Sequence, residues 1–106
     1  MIARVWRCTA ANDKAADYIE HFNHGVLPEL RQIDGYKGAY ILRRELNDGV
    51  ELTVVTLWQS MDSIRKFAGE NVETAVVASG AQAVLRTFDQ TVIHHEIVLS
   101  PEQTMP

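Results

Sequence analysis

Apolar and polar positions change rhythm several times along the chain. Residues 2–8 set the β-formers Ile2, Val5 and Trp6 among polar neighbours, which predicts a first strand. From residue 15 the spacing becomes helical. Ala15, Ile19, Phe22, Val26 and Leu30 recur on one side, with Asp17, Glu20, His21 and His24 on the other and Asn12 available as an N-cap. Pro28 lacks an amide hydrogen and falls inside this pattern, so the helix is expected to kink or restart there before Gly35 ends it.

Tyr36 to Trp58 reads as a β-hairpin around Asn47-Asp48-Gly49. A three-residue turn places Leu46 opposite Val50, Leu42 opposite Val54, Tyr40 opposite Thr56 and Gly38 opposite Trp58, where the missing side chain makes room for an indole. A two-residue Asp48-Gly49 turn would set Glu45 against Leu52, mixing charge with aliphatic residues, so the three-residue turn is the expectation.

Ser60 can cap the next helix, with Asp62 in its first turn and Gly69 as its stop. Residues 71–87 suggest further helical turns interrupted near Ser79-Gly80. Residues 89–99 return to a strand containing Val92, Ile93, Ile97, Val98 and Leu99. The order β-α-β-β-α-β predicts an α+β, ferredoxin-like fold with an antiparallel sheet. Residues 1–99 are expected to form a single domain, and 100–106 a frayed tail.

Both helices of such a fold cover one face of the sheet, so the other face should turn polar if it met water. The hairpin is instead apolar on both faces through its centre, and the last strand has apolar residues in both alternations. A homodimer covering that face is the expected solution.

Composition adds mainly exclusions. Apolar residues make up 46% of the chain and charged ones 23%, an ordinary globular mixture. Ten basic and fourteen acidic side chains leave a net charge of −4 without a basic tract, so nucleic acid is not an expected partner. Cys8 is the single cysteine, which suits a reducing compartment. No apolar run is long enough for a membrane span or a signal-peptide core, and a cytoplasmic location is expected.

Gly38 through Arg44, Leu57-Trp58-Gln59-Ser60 followed by Ile64-Arg65-Lys66-Phe67-Ala68-Gly69, and Phe88-Asp89 leading to His94-His95-Glu96-Ile97-Val98 together resemble the antibiotic-biosynthesis-monooxygenase-like family of dimeric α/β-barrel proteins. The resemblance covers nearly the whole chain. The family includes quinone-forming members and members that oxidise aromatic polyketides; for the latter the resemblance implies that no metal or flavin is needed, because a bound phenolate can itself give an electron to oxygen. Haem-degrading members carry a catalytic Trp where this sequence has Phe67, an Asn with no counterpart among Val5, Trp6 and Arg7, and a haem-ligating His with none from Thr74 to Gln82. Haem degradation is therefore not expected.

The resulting expectation is a cofactor-independent monooxygenase acting on a small aromatic or quinol substrate, or else a non-catalytic, ligand-binding or stress-associated homodimer. Trp6, Tyr40, Trp58 and Phe67 are the candidates for walling an aromatic slot, and Arg44 or His94 for stabilising a phenolate. Large aromatics also serve packing, and a strand histidine is often an ordinary hydrogen-bonded residue. Asp17, Glu20, His21 and His24 read as a solvated helix face rather than as a metal site, and no metal is expected.

Overall fold

The computed structural model describes residues 1–101. Of the expected tail, residues 102–106 lie outside the described residues. Strand β1 (Ile2–Ala10) leads into α1 (Ala15–His21), a π-helical turn at Phe22–Val26 and α2 (Leu27–Leu30). The hairpin β2 (Tyr36–Leu46) and β3 (Gly49–Trp58) follows, then α3 (Met61–Ala68), a short α4 (Ser79–Gln82), and the strands β4 (Thr87–Phe88) and β5 (Ile93–Glu96). The sheet order is β2-β3-β1, with β4 and β5 both pairing the far edge of β1; every pairing is antiparallel. This is the ferredoxin-like α+β arrangement with its fourth strand broken in two.

In β1 and β3 the even-numbered residues face the helices. Arg4, Cys8 and Ala10 on β1, and Val50, Leu52, Val54, Thr56 and Trp58 on β3, are all buried. The helices seal this face with Ala15, Tyr18, Phe22, Leu30 and Ile64. Ser60 caps α3 by accepting a hydrogen bond from the Ser63 amide, and Gly69, at φ 80°, ends it. The Asn12 cap is not formed: α1 starts later, with Lys14 at its N-cap position and no side-chain cap. The helix does restart at Pro28. Its α-geometry gives way to the π-turn, and Pro28 then sits in the first turn of α2, where a missing amide hydrogen costs little.

The hairpin register corrects the expectation. Leu46 pairs with Gly49, so the turn is the two residues Asn47-Asp48 and every pairing from Gly38 to Leu46 slips by one: Ile41 faces Val54, Tyr40 faces Val55 and Gly38 faces Leu57. Gly49 is a glycine for a different reason. A Cβ there would stand 2.6 Å from the Ala10 carbonyl oxygen, so the residue answers the close approach of β1 rather than a turn. Trp58 now lies opposite Tyr36, whose ring meets it edge-on at 5.5 Å. Gly38 makes no room for the indole; it sits at a bulge with φ 142°, and a Cβ there would touch nothing within 4 Å.

Residues 71–87 also depart from expectation, since only Ser79–Gln82 is helical. Tertiary partners take the backbone groups that a helix would use. Arg4 binds the Val72 and Thr74 carbonyls, the Val92 amide donates to Glu73, and the Ala75 amide to Gln90. The same bonds interrupt the final strand, because residues 90 and 92 pair with 75 and 73 instead of continuing along β1.

The opposite face of the sheet has no cover among the described residues. Val55 lies between Val5 and Tyr40 in register, Leu57 between Ala3 and Gly38, and Tyr40, Leu42 and Ile93 are more than half exposed. No helix among the described residues is long and apolar enough to cross a membrane.

Candidate functional site

Between the sheet and α1 lies a cavity of about 60 Å³. Arg4, Trp6 and Val54 form its sheet wall; Tyr18, His21 and Phe22 form the helical wall; Phe67 closes one end. Val76 and Val77 of the irregular segment and Ala81 of α4 add further cover, with Val76 about half exposed. Helical spacing presents Tyr18, His21 and Phe22 to the same space, and strand alternation does so for Arg4 and Trp6.

Arg4 is the charged group of this wall, and it is only 4% exposed. Its Nη1 donates to the Val72 carbonyl at 2.6 Å and its Nη2 to the Thr74 carbonyl at 3.1 Å. Its guanidinium carbon lies 5.8 Å from the Phe67 ring centre, a cation–π contact. No carboxylate pairs with it among the described residues. Burial brings its pKa down to about 10, which leaves the group charged at neutral pH.

His94 Nε2 lies 3.1 Å from Arg4 Nη1. Arginine has no acceptor, so this contact requires a neutral imidazole carrying its proton on Nδ1. Burial and the neighbouring Arg4 both lower the pKa of His94, in keeping with that form. His94 stands outside the cavity and reaches it through Arg4.

The other candidates separate. Phe67 and Trp6 line the cavity. Trp58 lies beneath it, stacked on Phe67 at 5.9 Å and donating from Nε1 to Thr56 Oγ1 at 2.8 Å. Tyr40 and Arg44 fall on the open face, as the one-residue slip of the hairpin dictates. Tyr40 is exposed there, and Arg44 pairs with Glu51 at 3.2 Å. The six candidates thus do not form one slot.

Arg4, Tyr18 and His21 are the cavity residues that the pattern did not single out. Arg4 had a signal in retrospect: it is a charge on the strand face that carries Ile2, Trp6 and Cys8. Helical spacing assigns His21 to the solvated face, where Glu20 and His24 do lie exposed. Instead it forms part of the cavity, and its Nε2 is buried without a hydrogen-bond partner among the described residues. A buried polar atom left unpaired costs about 1–3 kcal/mol. Burial raises the Tyr18 pKa, so its phenol stays protonated. No group of three or more metal-ligating side chains occurs among the described residues.

Residues 1–79 match the sequence profile of the antibiotic biosynthesis monooxygenase family. The chain belongs to that family. The match includes the cavity residues on β1, α1 and α3, while His94 lies beyond it. No curated protein matches this antibiotic biosynthesis monooxygenase family member by sequence. Its fold is shared with a Bacillus cereus protein provisionally designated an antibiotic biosynthesis monooxygenase, at 13% identity and a TM-score of 0.65, covering 94% of this chain and 95% of that one. It is also shared with the haem-degrader MhuD of Mycobacterium tuberculosis, solved with two haems bound, at 18% identity, TM-score 0.60 and coverage of 94% and 98%. A Streptomyces coelicolor monooxygenase in complex with nanaomycin D is similar at 18% identity, TM-score 0.51 and coverage of 66% and 62%. At these identities the likeness concerns the fold.

Proposed function

We propose that the protein is a cofactor-independent monooxygenase acting on a small aromatic or quinol substrate bound between the sheet and α1. The observation that carries this reading is Arg4: a buried guanidinium without a carboxylate partner among the described residues, set in the wall of an aromatic cavity. Such a charge favours an anion beside it, so a phenol bound with its hydroxyl at Arg4 ionises more readily. The phenolate is the electron-rich species that reacts with oxygen. Where the reacting carbon is a CH2 between aromatic rings, one atom of O2 becomes its carbonyl oxygen and the other leaves as water with the two hydrogens.

Trp6 and Phe67 flank the ring in this reading, and Trp58 supports Phe67 from below. His94 is a positioning residue that holds Arg4 through Nε2. Tyr40 and Arg44 have no part in the cavity and belong to the sheet face that a second copy covers in a homodimer. A cavity of about 150 Å³ engineered in another protein binds benzene, so a ring-sized substrate here requires the segment around Val76 to move outward. The buried thiol of Cys8 fits a reducing, cytoplasmic setting.

Oxygen uptake by metal-free protein against hydroquinones, anthrones and flavonols tests the proposal. Substrate-selective uptake lost in Arg4→Met supports it. Uptake no faster than the uncatalysed rate across the panel replaces it with a non-catalytic, ligand-binding homodimer.

A further inference from the structure

The cavity has a second polar group that the proposed chemistry leaves unused. His21, the last residue of α1, lies on the helical wall, across from the strand that carries Arg4. Two glycines leave room for its ring: a Cβ at Gly80 would stand 3.3 Å from both Cε1 and Nδ1, and one at Gly25 3.6 Å and 3.7 Å from the same atoms. The Tyr18 ring packs beside it at 6.1 Å. Nε2 is buried with no partner among the described residues, although an imidazole nitrogen can always either donate or accept. A buried ring nitrogen left unsatisfied on the wall of an apolar cavity is arranged for a polar atom brought by a ligand.

We propose that His21 is a specificity-determining residue whose Nε2 hydrogen-bonds a second oxygen of the bound aromatic, at the end away from Arg4. This rests on the function proposed above and narrows its substrate class to aromatics with oxygen substituents on opposite edges. Arg4 holds the ionising oxygen, Trp6 and Tyr18 line the span between the two polar groups, and His21 recognises the far oxygen. A ring with a single hydroxyl leaves Nε2 unpaired and binds less well for that reason alone.

The test compares benzene-1,4-diol with phenol, titrated by NMR under argon so that no oxidation occurs, into wild type, His21→Leu and His21→Gln. The expected result is that His21→Leu weakens the diol about tenfold, the worth of one buried hydrogen bond, while phenol stays within about twofold. His21→Gln, which restores a donor and an acceptor, should recover most of the diol affinity. In 15N-labelled wild type, the His21 Nε2 resonance should move with the diol and hold still with phenol, a readout that needs no variant to fold. Equal weakening of both ligands in His21→Leu, or a resonance indifferent to the diol, overturns the inference and leaves the cavity reading intact. Failure of both ligands to bind wild type overturns the cavity reading and this inference with it.

Discussion

Arg4 Nη1 and His94 Nε2 face each other at 3.1 Å, a guanidinium donating to a neutral imidazole. Protonating His94 would replace that hydrogen bond with two adjacent cations. Arg4 on β1 and the neighbouring His95 oppose the proton, and Glu73 of the segment packed against β5 favours it; burial and Arg4 outweigh Glu73. The folded pKa therefore lies below the ordinary value of 6.5. Between those two values the unfolded chain binds more protons, so the stability contributed by neutral His94 is complete above pH 6.5 and is lost as pH falls through the folded pKa. Urea unfolding from pH 7.5 to pH 5 should show this decline, and His94→Gln should flatten it.

Removing the Arg4 charge leaves the Val72 and Thr74 carbonyls without their donor. Arg4→Met keeps the length of the side chain and should lower stability by about 1–3 kcal/mol, the cost of the orphaned acceptors offset in part by no longer burying a cation. Urea denaturation measures the loss. Hydrogen exchange should rise first in residues 72–75, which the guanidinium ties to the sheet.

Val55 occupies the middle of the open sheet face, between Val5 and Tyr40. If a second copy covers this face, Val55→Lys places a charge in the interface and should convert the dimer into a monomer on light scattering, with little change in the circular dichroism spectrum. A wild-type monomer at micromolar concentration would refute the homodimer.

Cys8 is buried on the helix side of β1, where burial first, then Asp89 and Glu51, push its pKa up to about 12. A thiol so far from its thiolate reacts slowly. Labelling by a disulfide reagent at pH 8 should track global unfolding and accelerate only in denaturant.

The order of elements was legible because each has its own period: alternation in β1 and β3, i to i+3 and i+4 in α1, and an explicit Ser60 cap and Gly69 stop for α3. The hairpin register was harder to read. Asn47, Asp48 and Gly49 are all good turn residues, and Gly49 instead opens β3 at a place where a Cβ would meet the Ala10 carbonyl of another strand. That one-residue difference carried Tyr40 and Arg44 to the face opposite Trp58. The cavity was hidden for a related reason, since residues 71–78 hold their shape through bonds to Arg4, Gln90 and Val92, which leave no local period. His21 resembles Glu20 and His24 in sequence, and what distinguishes it is tertiary: its place in the cavity wall and its packing against Tyr18.

The two tryptophans stand in unlike surroundings. Trp58 is sealed in the core with its indole nitrogen bonded to Thr56, whereas Trp6 is partly exposed in the cavity wall and donates to the Asp89 carbonyl across the break in the outer strand. Their emission should therefore diverge when a guest enters, because Trp6 meets it directly and Trp58 lies behind Phe67. With Trp58→Phe, light from the remaining indole becomes an internal gauge of occupancy, readable without any turnover.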